Sequence, residues 1–156
     1  MKGSRSSRRQ HGAVAIEFAA VFVLFFAVLY GLLGYCVPLL MLQAFNDAAA
    51  AGARVAVSVD PQAAGGYNAA LKAAVDSAVT QRLSWMPTSW RNGCYGGQFM
   101  DTPVTETISG RDYTRVRVCV SYPYATSPIV PLLTLPGIGT VPRLPDVLSG
   151  TASVLL

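Results

Sequence analysis

The strongest constraint on this chain is an apolar run near its start. The 25 residues from 18 to 42 include no charged side chain, and no polar stripe appears before Gln43. As an α-helix the run would be about 38 Å long, against about 30 Å for the hydrocarbon core of a bilayer. A helix buried in a soluble protein would normally show a polar stripe over this length. The run therefore predicts one membrane-spanning helix.

Positive charge is concentrated ahead of this run, at Lys2, Arg5, Arg8 and Arg9. The other eight Lys and Arg residues are balanced by eight Asp and Glu residues. A short basic segment before a membrane helix predicts a cytoplasmic N-terminus, with the C-terminal part on the far side. It is typical of a topology signal rather than of a nucleic-acid surface, so we expect the lipid bilayer as a partner and no nucleic acid.

A secretory signal peptide is the main alternative interpretation of the N-terminus. Its apolar region usually has about 7 to 15 residues, which is shorter than the run here. The stretch AAAAGARVA at 48–56 nevertheless has the small residues of a cleavage site. Two alternatives therefore stay open, namely an uncleaved single-pass protein with an extracytoplasmic interaction domain and a binding domain released by signal peptidase.

A single carboxylate, Glu17, interrupts the start of the apolar helix. A charge costs about 2.5–3.5 kcal/mol near the centre of a bilayer and less toward its surface. A position near the headgroups, where the helix macrodipole favours an anion, would account for Glu17 alone. It would not account for Gly12, which stands five residues earlier and leaves the backbone open to approach.

The order of these features resembles the processing site of type IV prepilins. A basic leader is followed by Gly12, by the segment AVAIEF from Ala13 to Phe18, and by the long apolar run. The resemblance implies that a membrane-embedded prepilin peptidase cuts between Gly12 and Ala13. It also implies that Glu17 pairs with the N-terminal ammonium of a neighbouring subunit, so that a costly buried charge gains its partner on assembly.

The segment after the run narrows this resemblance. Residues 39–57, LLMLQAFNDAAAAGARVAV, are similar to the corresponding segment of TadE-like pilins, the minor pilins of tight-adherence (Flp) pili. The resemblance implies a role in pilus assembly and adhesion, with other pilins and inner-membrane pilus assembly proteins as partners. It implies a bacterial inner-membrane protein with a periplasmic C-terminal domain, which becomes extracellular if the subunit enters the pilus.

The part beyond the membrane is expected to be a small α+β domain. Apolar residues recur at helical spacing in NAALKAAVDSAVTQRL at 68–83, which predicts an amphipathic helix. PVTETIS at 103–109 and YTRVRVCVSY at 113–122 predict a hairpin whose turn is formed by Gly110, Arg111 and Asp112, and a final short strand is expected near 152–155. Six prolines between 123 and 145 argue against regular structure there.

The expected organisation therefore has four parts and belongs to the α+β class. They are a basic leader at 1–12, a transmembrane and assembly helix at 13–42, its Ala-rich helical extension at 43–59, and a small extracytoplasmic domain at 60–156 with one amphipathic helix and a small antiparallel sheet.

Two cysteines, Cys94 and Cys119, lie in the part placed outside the membrane. Disulfides form in such oxidising compartments, so we expect a bridge between them, with two independent thiols as the alternative. The third, Cys36, lies in the apolar run and is expected to be a packing residue.

The sequence offers little for catalysis. Its single histidine, His11, falls in the expected leader, which removes histidine-based nucleophile arrangements and the common zinc sites from the mature chain. We therefore expect no enzyme activity, no metal and no cofactor. The aromatic residues Trp85, Trp90, Tyr95 and Phe99 are expected to belong to the core of the domain rather than to a binding surface.

Overall fold

The fold combines two helices with a small antiparallel sheet, so the expected α+β class is confirmed. The computed structural model describes residues 8–135 and 139–156. The helices are α1 (Arg8–Ala56) and α2 (Tyr67–Arg82), and a 3₁₀ turn covers Thr88–Trp90. The strands are β1 (Asn92–Gly93), β2 (Val104–Ile108), β3 (Arg111–Tyr122), β4 (Leu133–Leu135), β5 (Gly139–Val141) and β6 (Leu148–Leu155).

The chain divides into two compact units. The first comprises Met1–Val37 and Leu132–Pro142, and the second comprises Pro38–Pro131 and Arg143–Leu156. Helix α1 contributes to both, and the division falls at Pro38 inside the helix. Because proline has no N–H, one intrahelical hydrogen bond is missing there.

The core of the second unit forms where α1, α2 and the sheet meet. The buried residues of α2 recur every four positions, at Leu71, Val75 and Val79, as the amphipathic pattern predicts. From the sheet, alternate residues of β3 point inward, which matches the period of two in its sequence. The largest fully buried side chains of this core are Met41, Phe45, Leu71, Val75, Val79, Leu83, Val116, Val118 and Val120.

Strand β3 is the central strand of the sheet and pairs antiparallel with β1, β2 and β6. The predicted hairpin is confirmed as β2–β3, but its turn consists of Ser109 and Gly110, slightly earlier than expected. Both residues have positive φ, 54° and 78°, as a two-residue hairpin turn of the primed type requires. Arg111 and Asp112, expected in the turn, are the first residues of β3.

Helix α1 and strand β6 lie in close contact at Gly150. A Cβ atom there would lie 2.7 Å from Cβ of Phe45, and closer still to the backbone of Phe45 and Asn46. On the same helix, a Cβ on Gly52 would lie 3.1 Å from Val79 and 3.2 Å from Val118. Small residues therefore let the backbone of α1 lie directly against the sheet.

The Pro-rich segment contains more regular structure than expected. The three-residue strands β4 and β5 pair antiparallel in the first unit, because Pro131 and Pro142 flank these strands rather than interrupt them. The final strand is also longer than the expected 152–155, since β6 begins at Leu148.

In the second unit, the hydroxyl of Tyr122 donates a 2.6 Å hydrogen bond to the carbonyl of Ser127, and burial raises the pKa of this phenol.

The contact at Gly150 gives a direct stability prediction. We expect Gly150→Ala to lower the free energy of unfolding of the second unit by about 3 kcal/mol, because the added methyl group has no space against the backbone of α1. Denaturant unfolding of the full chain in detergent, followed by tryptophan fluorescence, measures the change. Ser149→Ala, at the exposed neighbouring position, is the control and should change stability by less than about 0.5 kcal/mol. Equal stability of the two variants would contradict the close contact.

Candidate assembly and processing site

The residues expected to act in processing and assembly lie at the start of α1. Gly12, Ala13 and Glu17 are all helical and exposed. Of the topology signal, Arg8 and Arg9 are the first two residues of α1, whereas Lys2 and Arg5 lie outside the described residues. Ala13 and Glu17 are four residues apart, which places them on one face of the helix, about one turn from each other.

The electrostatic surroundings of Glu17 are simple. It is the tenth residue of α1, more than two turns from Arg8, and it has no ion pair within the described ranges. The favourable effect of a helix macrodipole on an anion fades beyond the first turn, so the N-terminus at Arg8 is too distant to stabilise this carboxylate.

An exposed apolar surface continues along the helix from Glu17. Its most apolar window has a mean hydropathy of 2.5, and none of that window is buried. Within the described part of the chain, α1 is the one helix that is long and apolar enough to cross a membrane. Phe18, Phe22 and Phe26 stack along one side, with ring centroids 5.9 and 4.5 Å apart. Such a surface requires a lipid or protein environment, because leaving it in water is costly.

The cysteine pair lies in the second unit. Cys119 is in β3 and Cys94 immediately follows β1, and their sulphur atoms are at disulfide-bonding distance with the Cα atoms 5.6 Å apart. That Cα separation is within the normal range for a disulfide. Cys36 is a free, exposed cysteine in α1.

The four aromatic residues near this pair differ in burial. Trp90 and Phe99 pack against the core as expected, and the ring of Trp90 lies 6.5 Å from that of Tyr122. Trp85 is 66% exposed, which is contrary to the expectation of a core residue. Tyr95 is half-buried; burial and the nearby Asp101 raise the pKa of its phenol, while Arg117 lowers it.

The structure offers no obvious centre for metal chemistry in the residues it describes. No group of three or more His, Cys, Asp or Glu side chains within 8–135 and 139–156 could hold a metal ion.

The described part of the chain combines one N-terminal helix that is long and apolar enough to cross a membrane with a small α+β unit. Residues 12–54 match the family model described as TadE-like protein. The resemblance drawn from the sequence is therefore confirmed over this segment. No curated protein and no solved structure matches the chain.

The sequence predicts a short final strand near 152–155, but it does not predict that β6 begins at Leu148 or that one of its edges is open. Its sequence from 148 to 155 has no charge and no proline, but Gly150 and two serines weaken the strand pattern. Only the pairing with β3 and the contact with α1 define where it begins.

The cysteine pair is tested by counting free thiols. We expect that alkylation of the denatured, unreduced protein adds one label per chain, at Cys36, because Cys94 and Cys119 are bridged. Intact mass measures the number of labels, and Cys36 serves as an internal control for reactivity. Three labels per chain would refute the bridge.

Reduction of this disulfide should lower the free energy of unfolding of the second unit by about 3 kcal/mol, which is the entropy effect of opening a loop of this length.

Proposed function

We propose that the chain is a minor pilin or pseudopilin of a tight-adherence (Flp) pilus, processed by prepilin peptidase and acting structurally in pilus assembly and adhesion. The observation that carries this proposal is the position of the family match, which begins at Gly12, immediately before the expected cut. Residues 1–12 are the leader, 13–42 the membrane and assembly helix, 43–59 its helical extension, and 60–156 the extracytoplasmic domain.

Cleavage after Gly12 would change the surroundings of Glu17. In the uncut chain the carboxylate lies more than two turns inside α1. In the cut chain it would be the fifth residue, about one turn from a new ammonium group on Ala13 and from the positive end of the helix dipole. Processing therefore supplies both a cationic partner for a neighbouring subunit's Glu17 and a helix end that favours its own carboxylate.

The proposed topology places the leader in the cytoplasm of a bacterial cell and the second unit in the periplasm. The four basic residues before the apolar run support this orientation. The cysteine pair at bonding distance also supports it, since a disulfide is stable in that compartment. Its partners would be prepilin peptidase, other pilins, the inner-membrane assembly proteins and the bilayer.

The N-terminus of the mature protein separates this proposal from its two alternatives. We expect N-terminal sequencing of protein extracted from the membranes of cells with a tight-adherence system to begin at Ala13. A start at Met1 would indicate the uncleaved single-pass protein, and a start near residue 50 would indicate a domain released by signal peptidase. Either result would refute processing at Gly12.

A variant at the cut site adds a matched comparison. Gly12→Val should abolish the Ala13 start, because a β-branched side chain obstructs access to the backbone. The Cβ position of Gly12 is open in the folded chain, so the substitution should not disturb the helix by a clash. Gly3→Val, elsewhere in the leader, is the control and should leave processing intact.

The carboxylate is tested separately from the cut. We expect Glu17→Ala to leave membrane insertion intact or improved, because it removes a charge from the apolar helix. The same variant should reduce incorporation into pili or into the assembly complex, because the ammonium of Ala13 loses its partner. Glu17→Asp, which keeps the charge on a shorter side chain, is the control and should retain more assembly. Normal piliation with Glu17→Ala would contradict this role.

A further inference from the structure

Strand β6 has one edge paired with β3 and one edge open. Thr114 and Leu156 exchange both backbone hydrogen bonds, each 2.9 Å long, at the end of the β3–β6 ladder. In an antiparallel pair such residues alternate with residues whose N–H and C=O point away from the partner strand. The register therefore directs these groups outward at Ser149, Thr151, Ser153 and Leu155.

The outward groups are available to another chain. All four residues are exposed, and their outward N–H and C=O groups form no backbone hydrogen bond within the described part of the chain. Natural sheet edges are usually protected by a charge, a proline or a bulge. β6 has no charged residue and no proline along its eight residues, so this edge is unprotected.

The sheet has a cleft on each of its two faces at β6, and Ala152 and Ser153 line both clefts. Toward α1, a cleft of about 270 Å³ is lined by Ala53, Arg54, Val57, Ser153 and Val154, among others. On the opposite face, a cleft of about 370 Å³ is lined by Tyr95, Arg117, Thr151, Ala152 and Ser153. A strand added at a sheet edge sends alternate side chains to opposite faces, so it could place side chains on both sides of Ser153.

Both clefts are positively charged. Arg54 lines the cleft beside α1 and Arg117 lines the other, and no acidic residue lines either one. Neither arginine forms an ion pair among residues 8–135 and 139–156. Asp101 acts electrostatically on Tyr95 but is not part of the lining. Two guanidinium groups on opposite faces complement a strand with carboxylates at successive positions.

We propose that the open edge of β6 binds an extended segment of a different polypeptide, which adds as a strand and carries acidic side chains at two successive positions. Backbone hydrogen bonds with Thr151 and Ser153 hold the segment in register. One carboxylate meets Arg54 and the next meets Arg117.

A second copy of the chain, paired through its own β6, does not fit this edge. Residue numbers increase in the same direction along α1 and β6. The contacts that show this are Pro38–Leu42 with Val147–Ser149, Phe45 with Gly150, and Ala50–Val57 with Ala152–Val154. The helix and the strand therefore run in the same direction. Antiparallel pairing of two β6 strands about a two-fold axis would reverse one helix relative to the other. This exclusion rests on the proposed membrane anchoring by α1, because two such helices cannot enter one bilayer from the same side.

The proposal is tested with two capped synthetic peptides and the full-length chain in detergent micelles. Both peptides alternate threonine and valine; one has two adjacent glutamates at its centre and the other two adjacent lysines. We expect the glutamate peptide to bind about tenfold more tightly than the lysine peptide, and this preference should be reduced in Arg54→Gln and fall as salt is raised. Equal binding of the two peptides, or no binding of either, would overturn the proposal.

The backbone contribution is tested at one position. Ser153→Pro removes an outward N–H without touching the bonds to β3, so it should weaken binding of the glutamate peptide by about tenfold. Ser153→Ala keeps the N–H and should bind like the original chain. Circular dichroism checks that both variants fold, and Thr151→Pro serves instead if Ser153→Pro does not. Equal binding by folded proline and alanine variants would overturn strand addition.

Hydrogen exchange on the unsubstituted chain gives an independent measure. The glutamate peptide should slow exchange at the outward amides of Thr151 and Ser153 and leave Ala152, already bonded to β3, unchanged. Uniform protection of all three, or none, would contradict pairing at this edge. A size increase of the chain without peptide would indicate self-association and would overturn the assignment of this edge to a different polypeptide. Because the assay uses the uncut chain, its failure is distinct from a failure of processing at Gly12.

Discussion

The second unit depends on the close approach of α1 to the sheet. At Gly150 the strand lies against the helix backbone at Phe45 and Asn46, with no room for a side chain between them. The alanines of α1 and Gly52 allow the same proximity to β3 and α2, and they bring Phe45 and Met41 into the core. The Ala-rich segment is therefore a packing surface as well as a good helix former. Its composition fixes where β6 runs, and β6 in turn completes the pairing of β3.

Much of this arrangement could be predicted because the patterns involved are local. The four-residue spacing in α2 and the alternation in β3 each identify one buried face, and both elements appear where the sequence places them. The exceptions depend on tertiary contacts. The first half of β6 contains Gly150, which lowers strand propensity but is required by the contact with α1. In the Pro-rich segment, the prolines predict an absence of regular structure, but those beside β4 and β5 lie outside the strands.

Among the candidate functional features, too, those defined by local sequence could be predicted and those defined by tertiary contacts could not. The proposed cut after Gly12 and the proposed role of Glu17 could be predicted from sequence, because each depends on neighbours along the chain. The hairpin turn lies at Ser109 and Gly110, slightly earlier in the sequence than predicted, because the sequence pattern alone does not specify the register of the two strands. The open edge of β6 could not be predicted, since it is defined by the absence of a second neighbouring strand in the described structure. Trp85 is exposed for a similar reason: no element of the second unit covers it.

The shared direction of α1 and β6 has a mechanical consequence. A force applied along residues 38–56 of α1 would pass to β6 through the contacts at Gly150 and at Ala152–Val154, and it would act along the strands. The hydrogen bonds between β6 and β3 lie perpendicular to that direction, so the eight paired positions would share the load in shear rather than open one after another.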